Sequence, residues 1–244
     1  MSVALLVTRP EADAERTAAR LTALDIVPVL APMLERVDLP FDPPAPEGLS
    51  GIVLTSANGV RALGPDLVAQ LRHLDVFAVG DHTALAAREA GFIAVTSADG
   101  ALADLVETIT RSGITGRLFY PAGRDRSGDL EALLAPAGIT LETVPVYAME
   151  PATRFATGVL PRLVGGEIAG ALFYSARTAK AFARLTEGRD FDLLRAELEC
   201  LCLSEAVAAP LVGARHMRLS LADHPSEEAM MALALAFARE QIRP

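Results

Sequence analysis

Short apolar runs alternate along this chain with stretches whose apolar residues return every three or four positions. The runs Val3–Thr8, Val27–Leu30, Ile52–Thr55, Val76–Val79, Ile93–Thr96, Leu118–Tyr120, Thr140–Pro145, Ala171–Tyr174 and Leu201–Leu203 read as strands. The stretches between them read as helices: Pro10 to about Ala23, Leu102 to about Arg111, a turn of helix ending near Ala135, residues 155–164, and Ser226 to about Arg239. Further helices open at Ser56, Ser175 and Ser204. Pro10 suits a first helical turn, where its missing N–H is no loss, and Glu11, Asp13 and Glu15 complement the positive end of that helix. Ser226 caps the last helix, with Glu227 and Glu228 in its first turn. Pro40 to Pro46 holds four prolines in seven positions and reads as a loop. Strands that alternate with helices from end to end predict an α/β chain with parallel sheets.

One unit shows how such an alternation can hold a ligand. Val76–Val79 is a buried strand, Gly80 permits a sharp turn, Asp81 or Thr83 caps the helix that follows, and Gly91 ends it. A tight polar turn from strand into helix leaves unpaired backbone N–H groups at an electropositive helix end, which suits an anion. The same geometry occurs in α/β proteins that bind nothing there, and one such unit does not separate the two.

The device recurs. Leu54–Val60 (LTSANGV) resembles Phe173–Ala179 (FYSARTA) at an offset of 119 residues. Ala78–Ala84 (AVGDHTA) resembles Cys202–Ala208 (CLSEAVA) at an offset of 124, and Leu5–Arg9 with its helix resembles Leu118–Pro121 with its own. That period is far too long for a solenoid and predicts two similar α/β domains facing each other. Ligands of open α/β sheets bind beyond the carboxyl ends of the strands, so the turns carrying Arg9, Ser56, Thr83, Arg124, Ser175 and Ser204 become candidate contacts.

Composition changes this picture little. With 244 residues, 51% hydrophobic and 22% charged, the chain can fill one large core or two of about 100–150 residues each. No apolar run approaches the roughly 20 residues needed to span a bilayer, and the N-terminus reads as a strand and not a signal peptide. A formal charge of −9 argues against general nucleic-acid binding but leaves room for a locally positive cleft. Cys200 and Cys202 lie about 7 Å apart on one face of a strand, which suits core thiols of a reducing cytoplasm better than a disulfide or a zinc site.

Conventional catalytic signatures are missing. The sequence holds no G-x-G-x-x-G or P-loop motif, no histidine pair or carboxylate cluster spaced for a metal, and no G-x-S-x-G elbow. His82 and His224 read as exposed loop residues. Thr55-Ser56 and Ser175 serve equally as helix caps, and Arg124 and Arg126 can pair with Asp125 and Asp129 as readily as with a ligand. Tyr147 follows a strand just before a domain crossing, as a buried linker residue or as a phenol projecting into a cleft.

Taken in order, the pieces Val7–Pro10, Leu54–Val60, Ala78–Gly80 with Thr83-Ala84, Gly123-Arg124 ahead of Leu130, Val146-Tyr147, Phe173–Ser175 and Pro225-Ser226 resemble the uroporphyrinogen-III synthases. The resemblance spans nearly the whole chain. It implies two doubly wound α/β domains joined by a two-stranded linker, one built from residues 1–33 with 151–244 and the other from 37–146, with crossings near 30–37 and 145–151. It implies a cofactor-free, metal-free, monomeric cytoplasmic lyase acting on hydroxymethylbilane, a linear tetrapyrrole with eight carboxylates. That substrate would be handed over transiently by hydroxymethylbilane synthase, with no nucleic-acid or membrane partner.

In the implied reaction the terminal hydroxyl leaves as water, and the last pyrrole ring attacks through a spiro intermediate and recloses inverted. Tyr147 matches the family's candidate acid for the departing hydroxyl. The substrate-binding set carried over is Arg9, Ser56, Gly80, Thr83, Gly123, Arg124, Ser175 and Ser204. The rim at Ser204 departs from the family's G-x-T-T-A pattern: Ser204 replaces the glycine and Ala206-Val207 replace the hydroxyls, which favours backbone contacts there. The competing class is a non-catalytic bilobed module that binds a small anion.

Overall fold

A computed structural model describes residues 2–126 and 128–242, with the side chains of Glu11 and Ala12 left aside. Two compact units divide the chain: residues up to Glu35 together with those from Glu150 form unit 1, and Arg36–Met149 form unit 2.

Unit 1 contains the strands β1 (Ala4–Val7), β2 (Val27–Leu30), β9 (Gly170–Phe173), β10 (Glu199–Cys202) and β11 (Arg218–Leu221), in the order β11-β10-β9-β1-β2, all parallel. Side chains leave a strand on alternate faces, and the alternation sorts the core into two layers. Leu6, Ala171, Phe173, Cys200 and Cys202 join one cluster; Leu5, Val7, Leu172 and Leu201 join the other. The first layer is closed by α6 (Val159–Val164), α7 (Ala176–Leu185), α8 (Asp192–Glu197) and α9 (Glu205–Gly213). The second is closed by α1 (Glu11–Thr22) and α10 (Glu227–Ile242). Helices on both faces of a parallel sheet are what continuous apolar strands require.

Unit 2 contains β3 (Leu34–Asp38), β4 (Leu49–Leu54), β5 (Asp75–Ala78), β6 (Ala94–Ser97), β7 (Gly116–Gly123) and β8 (Ile139–Pro151), in the order β3-β8-β7-β4-β5-β6. Ile52, Leu54, Val76 and Phe119 face α2 (Ala57–Leu71) and α3 (Asp81–Ala90). Val53, Phe77, Leu118 and Tyr120 face α4 (Leu102–Arg111) and α5 (Leu130–Leu134). The expectation of a parallel sheet needs one correction. Leu39 N–H donates to Val146 O at 2.9 Å and Ala152 N–H donates to Met33 O at 3.0 Å, so the partner's number falls as the chain advances and β3 runs antiparallel to β8. The sheet is therefore mixed at that edge. The chain passes between the units twice, inside β3 and inside β8.

The repeat is legible in the topology. Read from one edge, β6-β5-β4-β7-β8 of unit 2 corresponds to β11-β10-β9-β1-β2 of unit 1. Along the chain the corresponding pieces run β1-β2, then β4-β5-β6, then β7-β8, then β9-β10-β11. The sequence is thus a tandem repeat whose copies exchange halves: each unit takes its two-strand piece from one copy and its three-strand piece from the other.

Several boundaries moved. Pro121, Ala122 and Gly123, expected in a turn, continue β7; residues 140–151 form one strand and not a strand plus a linker. Gly80, not Asp81 or Thr83, is the N-cap of α3, whose first helical residue is Asp81. Residues 152–158 precede α6 without helix, and β11 and α8 are additional elements.

Candidate functional site

In a doubly wound sheet the strand order reverses at a switch point, and the turns on either side of it diverge to leave a crevice at the carboxyl edge. Unit 2 reverses between β4 and β7, and unit 1 between β9 and β1. Polar side chains gather at both.

In unit 2, β4 delivers Thr55 and Ser56. Ser56 has extended backbone and its Oγ accepts from Asn58 N–H at 3.1 Å, which fixes the start of α2. Thr55 Oγ1 and the Tyr120 hydroxyl of β7 lie 2.9 Å apart, bridging the switch point. Burial is the first cause that raises the Tyr120 phenol above its usual range, so it remains a neutral donor. In sequence Tyr120 is one more strand residue; its distance from Thr55 is what marks it.

Tyr147 is near enough to Tyr120 to act on it electrostatically, and a bulge sets its position. Ala122 pairs with Pro145 but Gly123 pairs with Tyr147, so Val146 is the extra residue. A bulge re-aims the side chains beyond it. Here the phenol lies over Gly123, where an added Cβ would sit 2.9 Å from Tyr147 Cζ and 3.0 Å from its hydroxyl oxygen. Arg124 N–H donates to Tyr147 O at 2.8 Å, which ties the end of β7 to the ring's own backbone. Gly123, Arg124 and Tyr147 are therefore one local assembly, with Tyr147 half-buried and Arg124 exposed.

Gly80 and Thr83 hold the next turn. A Cβ on Gly80 would come 3.2 Å from Gly100 Cα, so the backbone there fits under the loop at residues 98–100. Gly100 N–H donates to Val79 O at 2.8 Å and Ala98 N–H to Ala78 O at 2.9 Å, which secures that loop. Thr83 is buried and His82 is exposed.

In unit 1, Arg9 follows β1 at the switch point. Its guanidinium reaches Asp13 at 3.0 Å and Glu227 at 2.6 Å and lies 4.2 Å over the Tyr174 ring. Burial on its own would lower the Arg9 pKa, but the two carboxylates outweigh it and hold the cation firmly protonated. The Tyr174 hydroxyl donates to Glu227 Oε1 at 3.0 Å, and burial first, then that carboxylate, raise its pKa. Arg9 thus has its charge met twice within the unit, and binds the start of α10 to the end of β1. Ser175 caps α7 by accepting from Thr178 N–H at 3.2 Å. Ser204 is the N-cap residue of α9 but its side chain makes no capping hydrogen bond.

The predicted residues therefore fall into two sets, Ser56, Gly80, Thr83, Gly123, Arg124 and Tyr147 on the rim of unit 2, and Arg9, Ser175 and Ser204 on that of unit 1. Among the described residues no group of three or more His, Cys, Asp or Glu could hold a metal ion, and no helix is long and apolar enough to cross a membrane.

A sequence model of the family described as uroporphyrinogen-III synthase HemD matches residues 15–232. No curated protein sequence matches the chain significantly. Among solved structures, the uroporphyrinogen-III synthetase of Helicobacter pylori is similar with a TM-score of 0.59 and 18% identity, covering 97% of this chain and 100% of that one. A mutant uroporphyrinogen III synthase of Thermus thermophilus follows with a TM-score of 0.48 and 20% identity, covering 98% of this chain and 100% of that one. The structural likeness supports the fold; the sequence match, which runs through both units and covers the predicted site residues from Ser56 to Ser204 but not Arg9, establishes that the chain belongs to the uroporphyrinogen-III synthase family.

Proposed function

We infer that this protein is a cyclising lyase that converts hydroxymethylbilane to uroporphyrinogen III, losing water and inverting the last pyrrole ring. The family match over residues 15–232 carries this reading and favours it over a non-catalytic anion-binding module.

The chemistry requires a flexible octa-anion to be folded so that its two ends meet. Holding reactive ends in register supplies much of such a rate gain, and helix N-termini with backbone donors suit carboxylates without a strong base. The turns at Ser56, Gly80–Thr83, Ser175 and Ser204 are assigned that task, Arg124 with Gly123 frames the reacting end, and Arg9 organises its rim. Tyr147 is assigned as the proton donor to the departing hydroxyl. The bulge that sets its ring on Gly123 supports this, because it fixes the phenol on a sheet and not on a loop. Thr55 and Tyr120 supply a further hydroxyl pair at the switch point of the same unit. The protein is further proposed to act as a cytoplasmic monomer, receiving substrate from hydroxymethylbilane synthase in a transient encounter.

A coupled assay from porphobilinogen with hydroxymethylbilane synthase tests the reading. Uroporphyrinogen III as the main product is expected; accumulation of the type I isomer alone, as in spontaneous closure, overturns it.

A further inference from the structure

Helix α7 is chemically unlike the rest of the chain. The protein has 31 acidic and 22 basic residues, yet Ala176–Leu185 holds Arg177, Lys180 and Arg184 and no acid. It alone, among the described helices of eight residues or more, lacks an acidic side chain. The three cations stand at i, i+3 and i+7, one strip of the helix, and all three are exposed, while Thr178, Ala179 and Ala181–Ala183 are buried on the other side. Lys180 is the only lysine in the sequence.

The strip is unfavourable for an isolated helix. Like charges three and four residues apart repel, and Arg177 in the first turn opposes the helix dipole. Among the described residues, neither Lys180 nor Arg184 has a carboxylate within ion-pair distance. The strip faces a cavity. A pocket of about 180 Å³ within unit 1 is lined by Arg177, Lys180 and Arg184 together with Leu34, Pro151 and Ala181. Lys180 and Arg184 beside an apolar floor form a site for carboxylates on short alkyl arms: the floor takes the arm, the Arg184 guanidinium fork takes the acid in a bidentate pair, and the ammonium adds a mobile point charge.

We propose that this face of α7 is a carboxylate subsite that takes acid side chains of the substrate, and that it sets affinity and not the chemical step. This rests on the synthase reading, whose substrate carries eight carboxylates; the helix-end contacts proposed above leave some of them to be matched elsewhere.

The test compares Lys180→Gln, Arg184→Gln and their double variant with the wild type in the isomer assay at low and at physiological salt. The double variant is expected to raise KM about tenfold at low salt with kcat and melting temperature unchanged, and the gap is expected to narrow at about 0.15 M salt as screening weakens the wild type. Lys180→Arg is expected to restore the wild-type KM. A direct reading uses the single lysine. Acetylation of Lys180, followed by mass, is expected to slow about fivefold with uroporphyrin present at about four times its dissociation constant, where about four-fifths of the protein is occupied.

A double variant that keeps the wild-type KM, or acetylation unchanged at that occupancy, overturns the subsite alone. A wild type that forms only the type I isomer overturns the synthase reading and the subsite with it.

Discussion

Gly123 and Tyr147 are the pair on which the proposed chemistry depends most directly. Replacing the hydroxyl while keeping the ring, Tyr147→Phe, leaves the contact over Gly123 intact and removes only the proton donor. The expected result is a loss of about a hundredfold in kcat, the usual scale of general-acid catalysis, with the melting temperature unchanged. Gly123→Ala acts on the same group from below, because its new methyl would sit 2.9 Å from the ring and force it aside. The two losses are therefore expected to be non-additive: kcat of the double variant should match that of Tyr147→Phe within about twofold, as for two changes acting through one group. A double variant slower by the product of the two single losses would dissociate Gly123 from the phenol.

His216 poses a different residue-scale question, one of stability. It is buried, its Nε2 3.3 Å from Thr186 Oγ1 and its Nδ1 3.7 Å from Cys200 Sγ. Burial first and the Arg195 cation second lower its pKa from 6.5 to about 4. Between those values the unfolded chain binds a proton that the folded one refuses, so stability falls as pH drops through that window and is whole above it. The shift corresponds to about 2 kcal/mol lost between about pH 7 and about pH 5. Urea unfolding of the wild type and of His216→Gln at the two pH values measures it, and the variant is expected to show the flatter dependence.

At the level of elements, the serines that open helices can be sorted by what their hydroxyls do. Ser56 and Ser175 accept a backbone N–H from the first turn, whereas Ser204 makes no such bond. Ser56→Ala and Ser175→Ala are expected to cost about 1 kcal/mol each, and Ser204→Ala only a few tenths (~0.3 kcal/mol), in thermal or denaturant unfolding. A full cap-sized loss at Ser204 would contradict the geometry. The elements that the sequence displayed best are those whose side chains must fill two layers at once, such as Leu5–Leu6–Val7 and Ile52–Val53–Leu54, because burial on both faces leaves a continuous apolar run. Those that it hid lie where this pressure is absent. Arg218–Leu221 is a half-exposed edge strand, and α8 is six residues long with Leu194 its buried residue. Pro121 and Gly123 carried a turn signal that tertiary structure overrode: β4 pairs with β7 only as far as Phe119, so Pro121 lies where its missing N–H breaks no ladder on that side. For the candidate site, the turns could be read because each is a polar cap behind an apolar run. Tyr120 could not, since its role comes from a neighbour 65 residues away in sequence, nor could the bulge that aims Tyr147.

For the whole molecule, the exchanged repeat makes a prediction about folding. Unit 2 is continuous in sequence and has a core on both faces of its sheet, so it needs nothing from the rest of the chain to bury its apolar strands. Unit 1 is discontinuous, but its two pieces approach each other at one defined place: Ala152 N–H donates to Met33 O at 3.0 Å across an antiparallel pair. Residues facing each other in that way can be joined by a two-residue turn whose twist matches the strands. A chain in which Asn-Gly replaces residues 34–151 should therefore fold as unit 1, and the excised segment Leu34–Pro151 should fold as unit 2. Each is expected to unfold in a single cooperative denaturant transition with α/β circular dichroism, its slope per molar denaturant near half that of the full chain, because the slope follows the surface exposed. If either piece unfolds without cooperativity, the exchange of halves is more than a rewiring of the chain, and that unit depends on the other for its stability. If both fold, the tandem repeat encodes two self-sufficient sheets, and neither needs the joining through β3 and β8 in order to fold.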